Sequence, residues 1–108
     1  MRGVRWLYHV LPADVAVGDP FAPPSLAQEG YVHCSFREAA AESARLYFPA
    51  GTRLRVLQID PRRVACEIRV VDTPRGPMPH VHGAIPRAAI VRELSLDQLA
   101  DAPDQLSG

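Results

Sequence analysis

The chain has 108 residues, room for one packed domain and one hydrophobic core but not for two. Twelve basic residues balance twelve acidic ones and 47% of the chain is apolar, which suits a folded globule and excludes the basic excess of a nucleic-acid binder. No apolar run reaches the roughly 20 residues of a membrane span and no signal-like stretch opens the chain, so a cytoplasmic protein without membrane contact is expected.

Residues 4–10 alternate, with Val4, Trp6, Tyr8 and Val10 on one face and Arg5, Leu7 and His9 on the other, and read as the first strand. Residues 11–26 carry Pro12, Pro20, Pro23, Pro24 and Gly18, so they read as a long loop with at most a short turn of helix. Residues 31–35 form a short strand after Gly30, pointing Val32 and Cys34 one way and Tyr31, His33 and Ser35 the other. Ser35 and Glu38 stand at capping-box spacing. Phe36, Ala40, Ala44, Tyr47 and Phe48 then recur on one helical face until Pro49 and Gly51 end the helix.

Residues 53–59 and 63–71 read as two strands joined in a hairpin across Asp60-Pro61, the second with Val64, Cys66, Ile68 and Val70 on one face. Residues 72–79, with Pro74, Gly76, Pro77 and Pro79, read as a loop. Residues 88–94 make a last strand. Ser95 with Gln98 then caps a short C-terminal helix, and a tail from Ala102 should fray. The predicted fold is α+β: one domain over residues 1–101 with a mostly antiparallel, split sheet, one main helix and a short C-terminal one, followed by the tail at 102–108.

Missing residue types remove several chemistries. Without lysine or asparagine there is no P-loop, no pyridoxal Schiff base and no Cys-His-Asn site, and the all-arginine usage points to a GC-rich bacterial genome. Cys34 and Cys66 lie in strand-like runs and read as reduced core residues. The four histidines, His9, His33, His80 and His82, fall in or beside strands. Converging on one cleft, they would supply acid-base or ligand-gripping groups.

His33 reads equally as a strand-end histidine bonded to a carbonyl, and Ser35 as the helix cap, although the H-x-S spacing sets both on one face about 7 Å apart. Tyr8 and His9, taken singly, read as packing and surface residues, and Trp6 as core. His80 and His82 share one face of the P-H-V-H-G segment. A metal site would need His33 or His9 to complete it, and no acidic residue stands at ligand spacing, so no metal is expected. Arg75 and Arg87 flank this segment and could hold a phosphate, though arginines beside proline-rich turns are usually solvated.

The Tyr8-His9 pair, the block E-G-Y-V-H-C-S at residues 29–35 and P-H-V-H-G at residues 79–83 together resemble the domain of unknown function (DUF) 952 family, over nearly the whole chain. That family usually carries tyrosine where this chain has His82, which leaves His80 the better claim to an essential role. At the level of fold the family resembles the ADP-ribosyltransferase superfamily, whose split sheet holds NAD in a cleft. The resemblance implies catalytic roles for His9 on the first strand, His33 on the second and His80 at the third position, with Tyr8, His9, Tyr31, Ser35 and His82 around the ligand. The glutamate common at the third position is absent, so the resemblance is compatible with binding that survives while transfer is lost.

Three functions follow as expectations. The first is an ADP-ribosyltransferase-like protein using NAD or an ADP-ribose-type nucleotide as substrate. The second is a non-catalytic module binding a small metabolite or peptide. The third is a metal-dependent hydrolase built on His33, His80 and His82.

Overall fold

The computed structural model describes residues 4–106. Ser107 and Gly108, the end of the expected tail, lie outside the described residues. The fold is α+β, with two three-stranded antiparallel sheets, one main helix and a short 3₁₀ helix near the C-terminus. Strand β1 (Leu7–Pro12) pairs with β3 (Leu54–Ile59), which pairs with β6 (Ile90–Leu94). In the second sheet, β2 (Val32–His33) and β4 (Ile68–Thr73) flank β5 (Gly76–Val81). The sheets meet at an isolated bridge, where the backbones of Tyr8 and Ser35 exchange hydrogen bonds of 2.8 and 2.7 Å.

Five strands overlap the expected runs, but β1 is shifted towards Pro12, β4 begins only at Ile68 rather than at residue 63, β5 falls where a loop is expected, and the connections differ accordingly. The anticipated hairpin across Asp60-Pro61 does not form. Asp60 instead caps a 3₁₀ turn at Pro61–Arg63, accepting from the Arg62 backbone N–H, and the chain leaves the first sheet for the second. Residues 72–79, expected as a loop, hold the tip and most of the second strand of the β4–β5 hairpin, turned at Pro74-Arg75. Two prolines fit this central strand because of parity. The Pro79 carbonyl accepts from Cys34, so the backbone groups of Pro79, and of Pro77 two residues back, face the short β2 side rather than β4.

Helix α1 (Pro24–Glu29) is the short helical turn allowed within the proline-rich loop, with Pro24 at its first position, where a missing N–H costs nothing. Gly30 ends it in the left-handed region at φ 87°, which only glycine adopts without strain. Helix α2 (Arg37–Tyr47) is the predicted main helix, but Ser35 does not cap it. Phe36 occupies the cap position without a side-chain bond, and the Ser35 hydroxyl instead lies 3.0 Å from that of Ser43, nearly two turns inside the helix. The Ser95–Gln98 capping box does form, on the 3₁₀ helix Leu96–Asp101.

Two apolar clusters hold the layers together. Leu7, Leu11, Leu57 and Ile59 on one face of the first sheet pack with Val32, Cys34 and Val81 of the second. Tyr8, Val56 and Leu94 on the opposite face pack with Ala40 of α2 and Leu99 and Ala102 of the C-terminal segment. Residues 102–106, expected to fray, lie beside residues 4–6. The Tyr8 hydroxyl donates to Pro103 O, Arg5 bonds Asp104, and the Trp6 and Leu106 N–H groups reach Asp104 and Val4 carbonyls. Gly83, at the end of the P-H-V-H-G segment, has a packing reason. A Cβ there would stand 2.7 Å from Cys66 Cβ, and the neighbouring His82 N–H is bonded to Glu67 O, which holds the two chains at that separation.

Candidate functional site

Where the sheets part, α1, the C-terminal end of α2 and the β4–β5 hairpin enclose a cavity of about 740 Å³ with a mainly apolar lining. Strand alternation decides what reaches it. On β1, His9 points away from the layer that holds Tyr8. On β2 and β5, His33 and His80 are direct cross-strand partners on the face opposite Val32 and Val81. His9, His33 and His80, far apart in sequence, therefore line one cavity together with Tyr31 and Ser35.

His9 is 9% exposed, and its Nδ1 donates to the His33 carbonyl at 2.6 Å. Burial pulls its pKa below the ordinary value of 6.5, against the smaller upward pull of that hydrogen bond. The imidazole is held neutral. With Nδ1 carrying the hydrogen, Nε2 is left as a bare acceptor with no partner among the described residues. Phe21 meets the ring edge-on at 5.3 Å.

Farther out, Tyr31 stacks on His80, with centroids 4.0 Å apart and planes inclined by 12°, and meets His33 edge-on at 4.8 Å. Burial lowers the His80 pKa, and the neighbouring His33 and His82 lower it further. His33 Nε2 donates to Glu29 Oε2 at 2.5 Å. The Gly30 turn returns the end of α1 beside β2 and so makes that contact possible. Ser35 and Ser43 add a buried pair of hydroxyls, and burial pushes the Cys34 thiol up to about 12, an inert form.

Two residues assigned to the ligand lie elsewhere. Tyr8 is fully buried in the other core because it points to the opposite face of β1 from His9. His82 follows the end of β5, tilted at 5.5 Å from Tyr31 but outside the cavity lining. Among the described residues no three His, Cys, Asp or Glu side chains are grouped to hold a metal ion. Glu29, Tyr47, Phe21 and Met78 line the cavity without having been singled out for it. Glu29 had a signal, four residues before His33 and just ahead of a glycine. Tyr47 had none, since its helical period placed it on the packed face, yet it is 55% exposed. Of the two arginines, Arg75 lines the cavity and Arg87 does not.

No described helix is long and apolar enough to cross a membrane. The chain belongs to the DUF952 family of proteins of unknown function, whose pattern matches residues 12–93. It is similar to the crystal structure of protein CC0527 from Caulobacter crescentus, with 23% identity, 94% of each chain covered and a TM-score of 0.71; a double mutant of that protein gives the same values. At that identity the likeness carries the fold alone. No curated protein matches the chain.

Proposed function

We propose that this DUF952 protein is a small-ligand-binding module whose cleft receives an uncharged hydrogen-bond donor of the ligand on His9 Nε2. The observation that carries this reading is the state of His9. Its ring is buried and neutral, its Nδ1–H is engaged, and its acceptor nitrogen is unpaired beside a large cavity. Open to the cavity, that nitrogen can accept from a ligand hydroxyl or amide N–H, a bond worth about 0.5–1.5 kcal/mol. The volume falls within the few hundred to about 1,000 Å³ usual for small-molecule pockets, and Phe21, Tyr31 and Met78 suit a flat apolar body.

A second reading makes the ligand NAD or an ADP-ribose-type nucleotide and the protein a transferase. It is favoured by the meeting of His9, Tyr31, His33 and His80 at the split of the sheet, the positions that the family resemblance names. The chemistry of transfer has less support than binding. Glu29 is the carboxylate that lines the cavity, and His33 engages it, so it is not free to stabilise a developing oxocarbenium ion.

The test is a thermal-shift titration of untagged protein with nicotinamide, benzamide, ADP-ribose and NAD, repeated on His9→Gln and His33→Ala. A ligand at ten times its Kd adds about 1.4 kcal/mol and raises Tm by several degrees. At least one of the four should do so, with the shift lost in His9→Gln. Release of nicotinamide from NAD would move the assignment to the transferase. No shift with any of them at millimolar concentration would overturn the binding reading.

A further inference from the structure

The two ends of the cleft differ in chemistry. The inner end holds neutral His9 against Phe21 and Leu11, with no cation to attract an acid. At the outer end stands Arg75, the arginine of the lining, across from Tyr47 at the last residue of α2. We propose that this outer end is an oxyanion subsite, where the Arg75 guanidinium and the Tyr47 hydroxyl together hold a carboxylate or phosphate of a ligand whose apolar body extends towards His9. The proposal rests on the binding reading above and names the charge class of its ligand.

The presentation of Arg75 is the first support. It sits in the two-residue turn of the β4–β5 hairpin, where its N–H bonds Thr73 Oγ1 at 3.2 Å and that hydroxyl donates to Gly76 O at 2.7 Å. A tight turn pinned in this way fixes where the side chain leaves the backbone, so little backbone entropy remains to be lost on binding.

How the guanidinium is used is the second. Among the described residues its hydrogen bond is the single one from Nη2 to Tyr47 Oη at 2.7 Å, with the cation 5.2 Å from the ring centroid. Arg5, Arg55, Arg62 and Arg69 spend theirs on carboxylates. The remaining N–H groups of Arg75 keep the planar fork that matches a carboxylate or phosphate. Because Tyr47 Oη accepts from Arg75, its own hydrogen is left to donate to the same anion.

The electrostatics of the lining are the third. Glu29, the carboxylate of the lining, is turned to His33 at 2.5 Å rather than to Arg75, so the guanidinium has no carboxylate partner among the described residues.

Benzamide, benzoate and phenyl phosphate carry the same ring with a neutral, a carboxylate and a phosphate head, and their binding can be followed by NMR of the backbone amides. Both acids, or one of them, should bind on the order of tenfold tighter than benzamide, the size of a charge-assisted contact. They should also shift the amides at 73 and 75–76. Arg75→Gln, at an open hairpin tip, should bring the acid-to-benzamide ratio to about one, and Tyr47→Phe should lower it part of the way. Preference for benzoate alone or phenyl phosphate alone identifies the anion. Acids that bind no tighter than benzamide, or a preference that survives Arg75→Gln, would overturn the subsite while leaving the cleft a binding site. If all three leave residues 31–35, 78 and 80 unshifted, both readings fall.

Discussion

In the β1–β3–β6 sheet both faces are covered, one by the second sheet and the other by α2 and the C-terminal 3₁₀ helix. In the β2–β5–β4 sheet one face enters the shared core, while the other puts His33, Met78 and His80 on a cavity wall and leaves Val71, the cross-strand partner of Met78, exposed on β4. A residue type therefore means different things in the two halves. Tyr8, from the doubly covered sheet, is a core residue whose hydroxyl pins the C-terminal segment, whereas Tyr31, beside the singly covered one, stacks on His80 in the cavity wall. The cavity therefore opens on the face of the second sheet that packing does not use, and the recognition proposed above would be confined to it. His9 is the exception that joins the halves, since it leaves the packed sheet at its cavity end.

The largest expected effect tests that division directly. Leu57→Ala, at a fully buried position of β3, should cost about 2–5 kcal/mol in urea unfolding, and Val71→Ala on β4 should stay within about 0.5 kcal/mol. Equal losses would dissolve the contrast. Next, Tyr8→Phe should cost about 1–2 kcal/mol by stranding the Pro103 carbonyl, and hydrogen exchange should quicken at 104–106 more than in β5.

A pH scan should show a third effect. The unfolded chain takes up a proton on histidine below the ordinary value of 6.5, while buried His9 resists it, so stability present above that pH is lost as pH falls towards the lowered folded value. The slope from His9 is at most about 1.4 kcal/mol per pH unit, and His80 acts in the same direction. Between pH 6.5 and 5, above the range where Glu38 and Asp60 lose their arginine partners, His9→Gln should flatten the curve. An unchanged slope would place the proton elsewhere. The smallest effect is Ser95→Ala, about 0.5–1 kcal/mol through the lost cap, with no comparable capping loss at Ser35.

How far the site could be read from sequence varies residue by residue. His33 and Tyr31 were visible because a short alternating strand after Gly30 settles their direction. Ser35 was misread, since cap spacing says nothing of whether the hydroxyl turns to the helix start or to Ser43. Arg75 could be weighed as a phosphate ligand, but its place in the lining depends on a hairpin that the prolines at 77 and 79 concealed. Tyr47 followed the helical period onto the apolar face and yet lies exposed at the cleft, because α2 ends where the layer beneath it ends.

By itself the sequence determined what local geometry encodes: the main helix, most of the strand runs but not β5, the capping box at Ser95, the α+β class and the motifs of the family. Each of these depends on neighbours two to four residues apart, whose spacing sets the faces that meet. Tertiary structure alone decided that β3 pairs with β1 and β6, that β4 turns back on β5, and that His9 stands over the same cavity as His33 and His80. Those contacts join residues tens of positions apart, and the free energy that selects them comes from burying two apolar layers at once, which no local pattern specifies.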